Sequence, residues 1–198
     1  IRFCTVSGVN TGIASGVIFF NNAFGLSAGN SNNNIENCDI RDAATTPTNL
    51  IFCSGSITEY GAGNNFNTIS NNTFHDWFNA SATTLSAAVN VFAGASDWTI
   101  TGNSFYQTAT RTFTMTTATD EGAIFINSPA FGTNFTISNN FIGGSAPLCG
   151  GTPWTYTGGA TGTPTVKMIR LTTALGAFST VSNNTITNIS ITRVCESI

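Results

Sequence analysis

The stretch Ile69-Ser70-Asn71-Asn72-Thr73-Phe74 recurs along the chain. Ile35-Glu36-Asn37-Cys38-Asp39-Ile40 precedes it with the same shape. Ile100-Thr101-Gly102-Asn103-Ser104-Phe105, Ile137-Ser138-Asn139-Asn140-Phe141-Ile142 and Val181-Ser182-Asn183-Asn184-Thr185-Ile186 follow it, and Ile1 to Val6 fits more loosely. The starts at 1, 35, 69, 100, 137 and 181 are 34, 34, 31, 37 and 44 residues apart. A period in this range with variable insertions marks a solenoid. Each copy reads apolar, polar, two turn residues, polar, apolar. That spacing points the two apolar residues inward from two short strands. The pair between them bends the chain, and Asn suits the bend because it tolerates left-handed backbone angles and bonds nearby backbone groups.

The second turn position reads Cys4, Cys38, Asn72, Asn103, Asn140, Asn184. Stacking the coils in register predicts an Asn ladder through Asn72, Asn103, Asn140 and Asn184, because stacked strands lie about 4.8 Å apart, within reach of one amide for the next. The inward rows are aliphatic or aromatic in every copy. A second apolar run follows each of the first five motifs, at Val17-Phe20, Leu50-Cys53, Ala88-Val91, Ala123-Ile126 and Met168-Leu171. Each coil therefore has three short strands.

This pattern resembles the right-handed parallel β-helix of pectin-lyase-like proteins, with an Asn-bearing tight turn between the second and third strands of each coil. The resemblance covers essentially the whole chain, and its wording is most similar to large secreted or cell-surface bacterial β-helix proteins. It implies an all-β solenoid of about five to six coils and an extracellular or cell-surface location. It does not fix a function, because this fold hosts lyases, hydrolases, tailspikes and adhesins.

Composition narrows the partners. Charged residues are 8% of the 198, with a net charge of −3. No basic patch exists for nucleic acid, and no apolar run approaches the roughly 18 residues of a membrane span. A single domain over 1–198 is expected. The chain begins inside one motif and ends soon after another, which would leave unpaired strand edges. We therefore expect either further coils of a longer protein or self-association of copies, including into filaments.

Five cysteines are present. Cys4 and Cys38 share a rung and read as buried thiols, because side chains on parallel strands point the same way. Cys53 reads as core. Cys149 and Cys195 fall at similar points of neighbouring coils, and a disulfide between them would suit an extracellular protein.

Four features are candidate sites. With Ile18, Ile51, Val89, Ile124 and Ile169 inward, the row Phe19, Phe52, Asn90, Phe125, Arg170 faces out, beside Val17, Leu50, Ala88, Ala123 and Met168. Such an apolar face needs a cover. The growing loops at 106–121 and 143–165 would bring aromatic residues to it, with Trp77, Phe78, Phe113, Trp154 and Tyr156 as the cover. Left open, with Phe19, Phe52, Phe125, Trp77, Trp154 and Tyr156, it would be a protein interface or a stacking platform for a polysaccharide. The family resemblance places a substrate groove here. The second candidate is Asp120-Glu121 with Lys167 and Arg170 one coil later. A β-helix lyase needs acidic calcium ligands and a basic proton acceptor; the plainer reading is a cross-coil salt bridge. No cofactor is otherwise implied. The third is the only histidine, His75, which reads as part of a solvated polar corner with an Arg41–Asp76 pair. The fourth is the Thr/Ser row flanking the inward residues, Thr68 and Ser70 through Thr180 and Ser182, which would resemble an ice-binding face. Sparse charge and the lack of a convergent acid pair make a non-catalytic structural or adhesive module the first expectation. A polysaccharide lyase or hydrolase on the loop-bearing edge is the second.

Overall fold

The computed structural model describes residues 1–21, 29–80, 85–114, 119–158 and 165–192. It is a parallel β-solenoid of about five turns. The first wall, ahead of the Asn turn, stacks Asn34–Glu36, Thr68–Ser70, Thr99–Thr101, Thr136–Ser138 and Thr180–Ser182. The second, after the turn, stacks six strands, Thr5–Gly8, Asp39–Asp42, Thr73–His75, Ser104–Tyr106, Phe141–Ile142 and Thr185–Ile186. The third holds Ile18–Asn21, Asn49–Ser54, Ser86–Ala93 and Asp120–Ser128, and both Thr165–Val166 and Ile169–Thr173 pair with the last of these. Every ladder is parallel, and motif residues pair with their equivalents, Ile35 with Ile69, Ile69 with Ile100 and Ile100 with Ile137. One 3-10 turn, Tyr60–Ala62, is the only helical element among the described residues, and no described helix is long and apolar enough to cross a membrane.

The turn works as its residues dictate. Its first position is left-handed in all six copies, at Phe3, Asn37, Asn71, Gly102, Asn139 and Asn183. Its second position carries the ladder. The Asn103 Oδ1 accepts from the Asn72 backbone N–H at 2.9 Å and from the Asn72 Nδ2 at 3.0 Å, while the Asn103 Nδ2 donates to the Ile69 carbonyl and to the Asn140 Oδ1, each at 3.0 Å. Asn140 repeats the pattern onto Asn184, and Asn72 extends it backward by accepting from the Cys38 N–H. Asn72, Asn103 and Asn140 are buried. Each amide is fully used, which a buried amide requires.

The core runs along the axis through Ile35, Ile69, Ile100 and Ile137 and through Ile40, Phe74, Phe105 and Ile142. Phe74 and Phe105 stack at 4.9 Å. Cys53 is core. The Cys4 and Cys38 sulfurs lie 3.7 Å apart, with Cys38 buried but Cys4 exposed, against the expectation of two buried thiols. Cys149 stands as a free thiol, and its expected partner Cys195 lies outside the described residues.

The long loops do more than cover a face. Arg111–Phe113, Trp154–Gly158 and Ile189–Ile191 pair as a short fourth wall. Trp77, Phe113, Trp154 and Tyr156 belong to the core cluster, together with Leu50, Ala88 and Ala123. Strict alternation along the third wall would send the latter three outward. At Ala123 it fails because the Ala123 and Ile124 N–H groups both bond the Met168 carbonyl, at 3.2 and 3.0 Å. Two residues then oppose one, as in a β-bulge, and consecutive residues face the same side.

Replacing Asn103 by Leu would strand the Asn72 N–H, one of the two Asn72 Nδ2 hydrogens and the Ile69 carbonyl, the other Nδ2 hydrogen staying on the Ile35 carbonyl. Each buried unpaired group costs about 1–3 kcal/mol, so denaturant unfolding should show a loss of at least about 3 kcal/mol. Asn184→Leu, at the half-buried end of the ladder, should lose less. Equal, small losses at both positions would remove the ladder as the main restraint on the turn.

Candidate functional site

The outward row is in register. Phe19 pairs with Phe52, Phe52 with Asn90, Asn90 with Phe125 and Phe125 with Arg170. Together with Phe92, Ile13, Ala14 and Leu85 this row lines a cavity of about 400 Å³ on the outer face of the third wall. Phe19 and Phe92 are 42% and 53% exposed, whereas Phe52 and Phe125 are 2% and 1% exposed and form its floor. Phe52 meets Phe19 edge-on at 5.5 Å and stacks with Phe92 at 6.2 Å. The groove is therefore built of Phe19, Phe52, Phe92 and Phe125. Trp77, Trp154 and Tyr156, expected on this face, are fully buried in the core and take no part in it. Phe92 was missed by sequence reading, although it stands two residues after Asn90 and so shares its side of the strand.

Asn90 sits in the floor and is buried. Its Nδ2 donates to the Asn49 Oδ1 at 3.0 Å. The Asn49 Oδ1 also accepts from the Ala87 N–H, and the Asn49 Nδ2 donates to the Ser15 carbonyl, so the orientation of both amides is fixed. The Asn90 Oδ1 has no hydrogen-bond partner.

At the C-terminal end of the groove, the Lys167 Nζ donates to both Asp120 carboxylate oxygens at 2.8 and 2.9 Å, and the Arg170 guanidinium to one of them at 2.7 Å. The Arg170 guanidinium lies 6.0 Å from the Phe125 ring centre. One carboxylate thus serves two cations. Glu121, expected beside Asp120, turns the other way into the core, where the Tyr156 hydroxyl donates to it at 3.3 Å. Burial pushes the Glu121 carboxyl well above its usual range, against bonds from Ser86 and Tyr156 and the charge of Arg111. Asp120 and Glu121 therefore do not converge as calcium ligands. No cluster of three or more metal-ligating side chains occurs among the described residues.

The polar corner gathers Asp39, Arg41, Asp42, His75, Asp76 and Arg111 in a chain with only 6 Lys and Arg and 9 Asp and Glu. His75 bonds Asp76 at 2.7 Å and Asp39 at 3.1 Å and stacks on Tyr106 at 4.7 Å. The expected Arg41–Asp76 pair does not form. Arg41 pairs with Asp39 at 3.3 Å, and Arg111, from the long loop, takes Asp76. Thr108 donates to both Asp76 oxygens. Burial raises the Asp76 carboxyl, but the bonds from His75 and Thr108 and the Arg111 charge outweigh it and hold it below its usual range. Burial and the Asp76 charge push Asp42 up. All the Asp76 acceptor sites face partners, and the corner ties three coils together.

The Thr/Ser row forms two aligned ranks, Thr68, Thr99, Thr136, Thr180 and Ser70, Thr101, Ser138, Ser182. Ser70 is buried, and the Thr101 and Ser138 hydroxyls bond each other at 3.0 Å.

Comparison with family models, with curated proteins and with solved structures finds no match for the chain.

Glu121 gives a signed prediction. A folded-state carboxyl held above its ordinary value of 4.5 keeps its proton while the unfolded chain loses it. The stability associated with the neutral acid is full below that value and declines as pH rises toward the folded-state pKa. Glu121→Gln keeps the acceptor and cannot ionise. Its melting temperature should match the parent near pH 4 and exceed it by a margin that widens as pH rises above 4.5 and levels off once the folded-state carboxyl ionises. A constant margin across pH would mean that Glu121 is not held neutral.

Proposed function

We propose that this chain is a non-catalytic structural or adhesive module, a rigid solenoid segment of a secreted or cell-surface protein of the pectin-lyase-like β-helix type. The observation that carries this reading is the pairing of the groups best placed for acid–base work. Lys167 and Arg170 both close on Asp120, and Glu121 is sealed against Tyr156 in the core. Asp76 is saturated by His75, Thr108 and Arg111. A lyase needs a base free to take a proton, and a glycoside hydrolase needs two carboxyl groups facing one substrate. The described groove offers four phenylalanines and an asparagine in place of such a pair.

What the arrangement favours is rigidity. Side-chain ladders at the Asn turn and the polar corner lock successive coils together, while the surface is rich in Asn, Thr and Ser and poor in charge. Such a body holds a fixed shape and presents loops and faces at fixed spacing, which is what an adhesive or scaffold segment requires.

Incubation with a panel of uronate and neutral polysaccharides, with and without calcium, should yield neither unsaturated product by ultraviolet absorbance nor new reducing ends. Product that disappears in Lys167→Ala or Arg170→Ala would overturn the non-catalytic reading.

A further inference from the structure

The cavity over Asn90 has the makings of a small-molecule site, independent of any structural role. At about 400 Å³ it lies within the roughly 300–1,000 Å³ of typical ligand pockets. Its walls are Phe19, Phe52, Phe92, Phe125, Ile13 and Leu85. Two polar features break that apolar surface. The Asn90 Oδ1 is a buried acceptor without a partner, and a group of that kind costs free energy until a donor reaches it. Arg170 lines the far end and shares Asp120 with Lys167, so that end carries one positive charge more than its carboxylate neutralises. Asn90 and Arg170 stand in one row, two strands apart through Phe125, a backbone separation of about 10 Å.

We propose that this groove binds a small organic acid with a flat aromatic or apolar body. Its hydroxyl or N–H donor meets the Asn90 Oδ1, and its carboxylate meets Arg170. The Phe125 ring beneath Arg170 and the Phe52–Phe92 stack set a slot that takes a planar ring. A carbohydrate fits the slot less well. Its hydroxyls point outward all round the ring, and the lining offers only Ser54, Asn90, Asn127 and Arg170 as polar partners, so most hydroxyls would be desolvated without replacement bonds.

Isothermal titration calorimetry with 2-naphthoate, 2-naphthamide and 6-hydroxy-2-naphthoate tests the site. All three share the ring system; the amide lacks the charge, and the hydroxy acid adds a donor at the opposite end. One site per chain is expected, with 6-hydroxy-2-naphthoate binding tightest and the amide about tenfold weaker than the acid, the effect of one charge-assisted bond. Arg170→Gln should weaken both acids about tenfold and leave the amide unchanged, because the bond it removes is to the carboxylate. Phe92→Ala should weaken all three about tenfold through lost ring contact. Both substitutions fall on half-exposed side chains, and the ranking of the three probes on the unaltered protein needs no variant. Absence of binding by any probe would sink the proposal. So would equal affinity for acid and amide, or affinities indifferent to both substitutions. Binding of a neutral oligosaccharide, competed by none of the three probes and lost in Phe92→Ala, would reassign the groove to carbohydrate.

Discussion

Asn72, Asn103, Asn140 and Asn184 hold the turn on which every other feature of the solenoid depends. A parallel sheet keeps its register only if each coil returns to the same point one strand spacing further on. The bend between the first and second walls enforces this, because each buried amide reads the position of the coil on either side. An offset of one residue would place the amide opposite a backbone group of the wrong kind and leave it unpaired in the core. The ladder therefore specifies register more sharply than the apolar rows can, since Ile and Phe tolerate small slips that a hydrogen bond does not. With register fixed, the outer rows are fixed too, and Phe19, Phe52, Asn90, Phe125 and Arg170 stand in line.

The same turn was the most legible part of the sequence, because its conformational demand selects residue types. The left-handed position is Asn in four copies and Gly in one, and Phe3 alone breaks the pattern. A second bend, just before the first wall, repeats the left-handed conformation at Asn32, Phe66, Asp97 and Asn134. It too has a short ladder, in which Asn67 accepts from the Asn33 N–H at 2.9 Å. Sequence reading passed over it, because Phe and Asp at the equivalent positions hide the period. Backbone bonds such as that from the Phe66 N–H to the Ser96 carbonyl at 3.1 Å hold that bend, and backbone groups leave no mark on residue identity.

Misplacement of the aromatic residues has a different cause. Alternation is a rule about regular strands, and the third wall bulges at Ala123 and Ile124. A bulge needs no diagnostic side chain, so period-two reading sends Ala123 outward, as it does Leu50 and Ala88, and then calls for Trp77, Trp154 and Tyr156 to cover them. Leu50, Ala88 and Ala123 instead lie in the core, and the long loops add the fourth wall. Arg111 escaped notice for a related reason. It lies 35 residues from Asp76, in a loop whose length breaks the repeat, and only the fold brings the two together.

The contrast between the polar corner and the groove bears most on function. In the corner, Asp39, His75, Asp76 and Arg111 find partners on another coil, as the low dielectric there demands. The chain can evidently satisfy buried polar groups when it has only its own stability to serve. Asn49 shows the same on the third wall, where its amide bonds Ser15, Ala87 and Asn90 at once. Three buried side-chain atoms among the described residues have no partner, the Asn34 Oδ1, the Trp154 Nε1 and the Asn90 Oδ1, and of these only Asn90 lines the groove. A Leu or Val at that position would continue the phenylalanine row and leave nothing unpaired. The acceptor adds nothing to packing, and it lies in the floor of an apolar groove that ends at an incompletely neutralised cation. A site that forgoes some stability in order to keep a fixed acceptor and a fixed charge two strands apart is arranged to discriminate between ligands, and a rigid solenoid is well suited to hold that spacing constant.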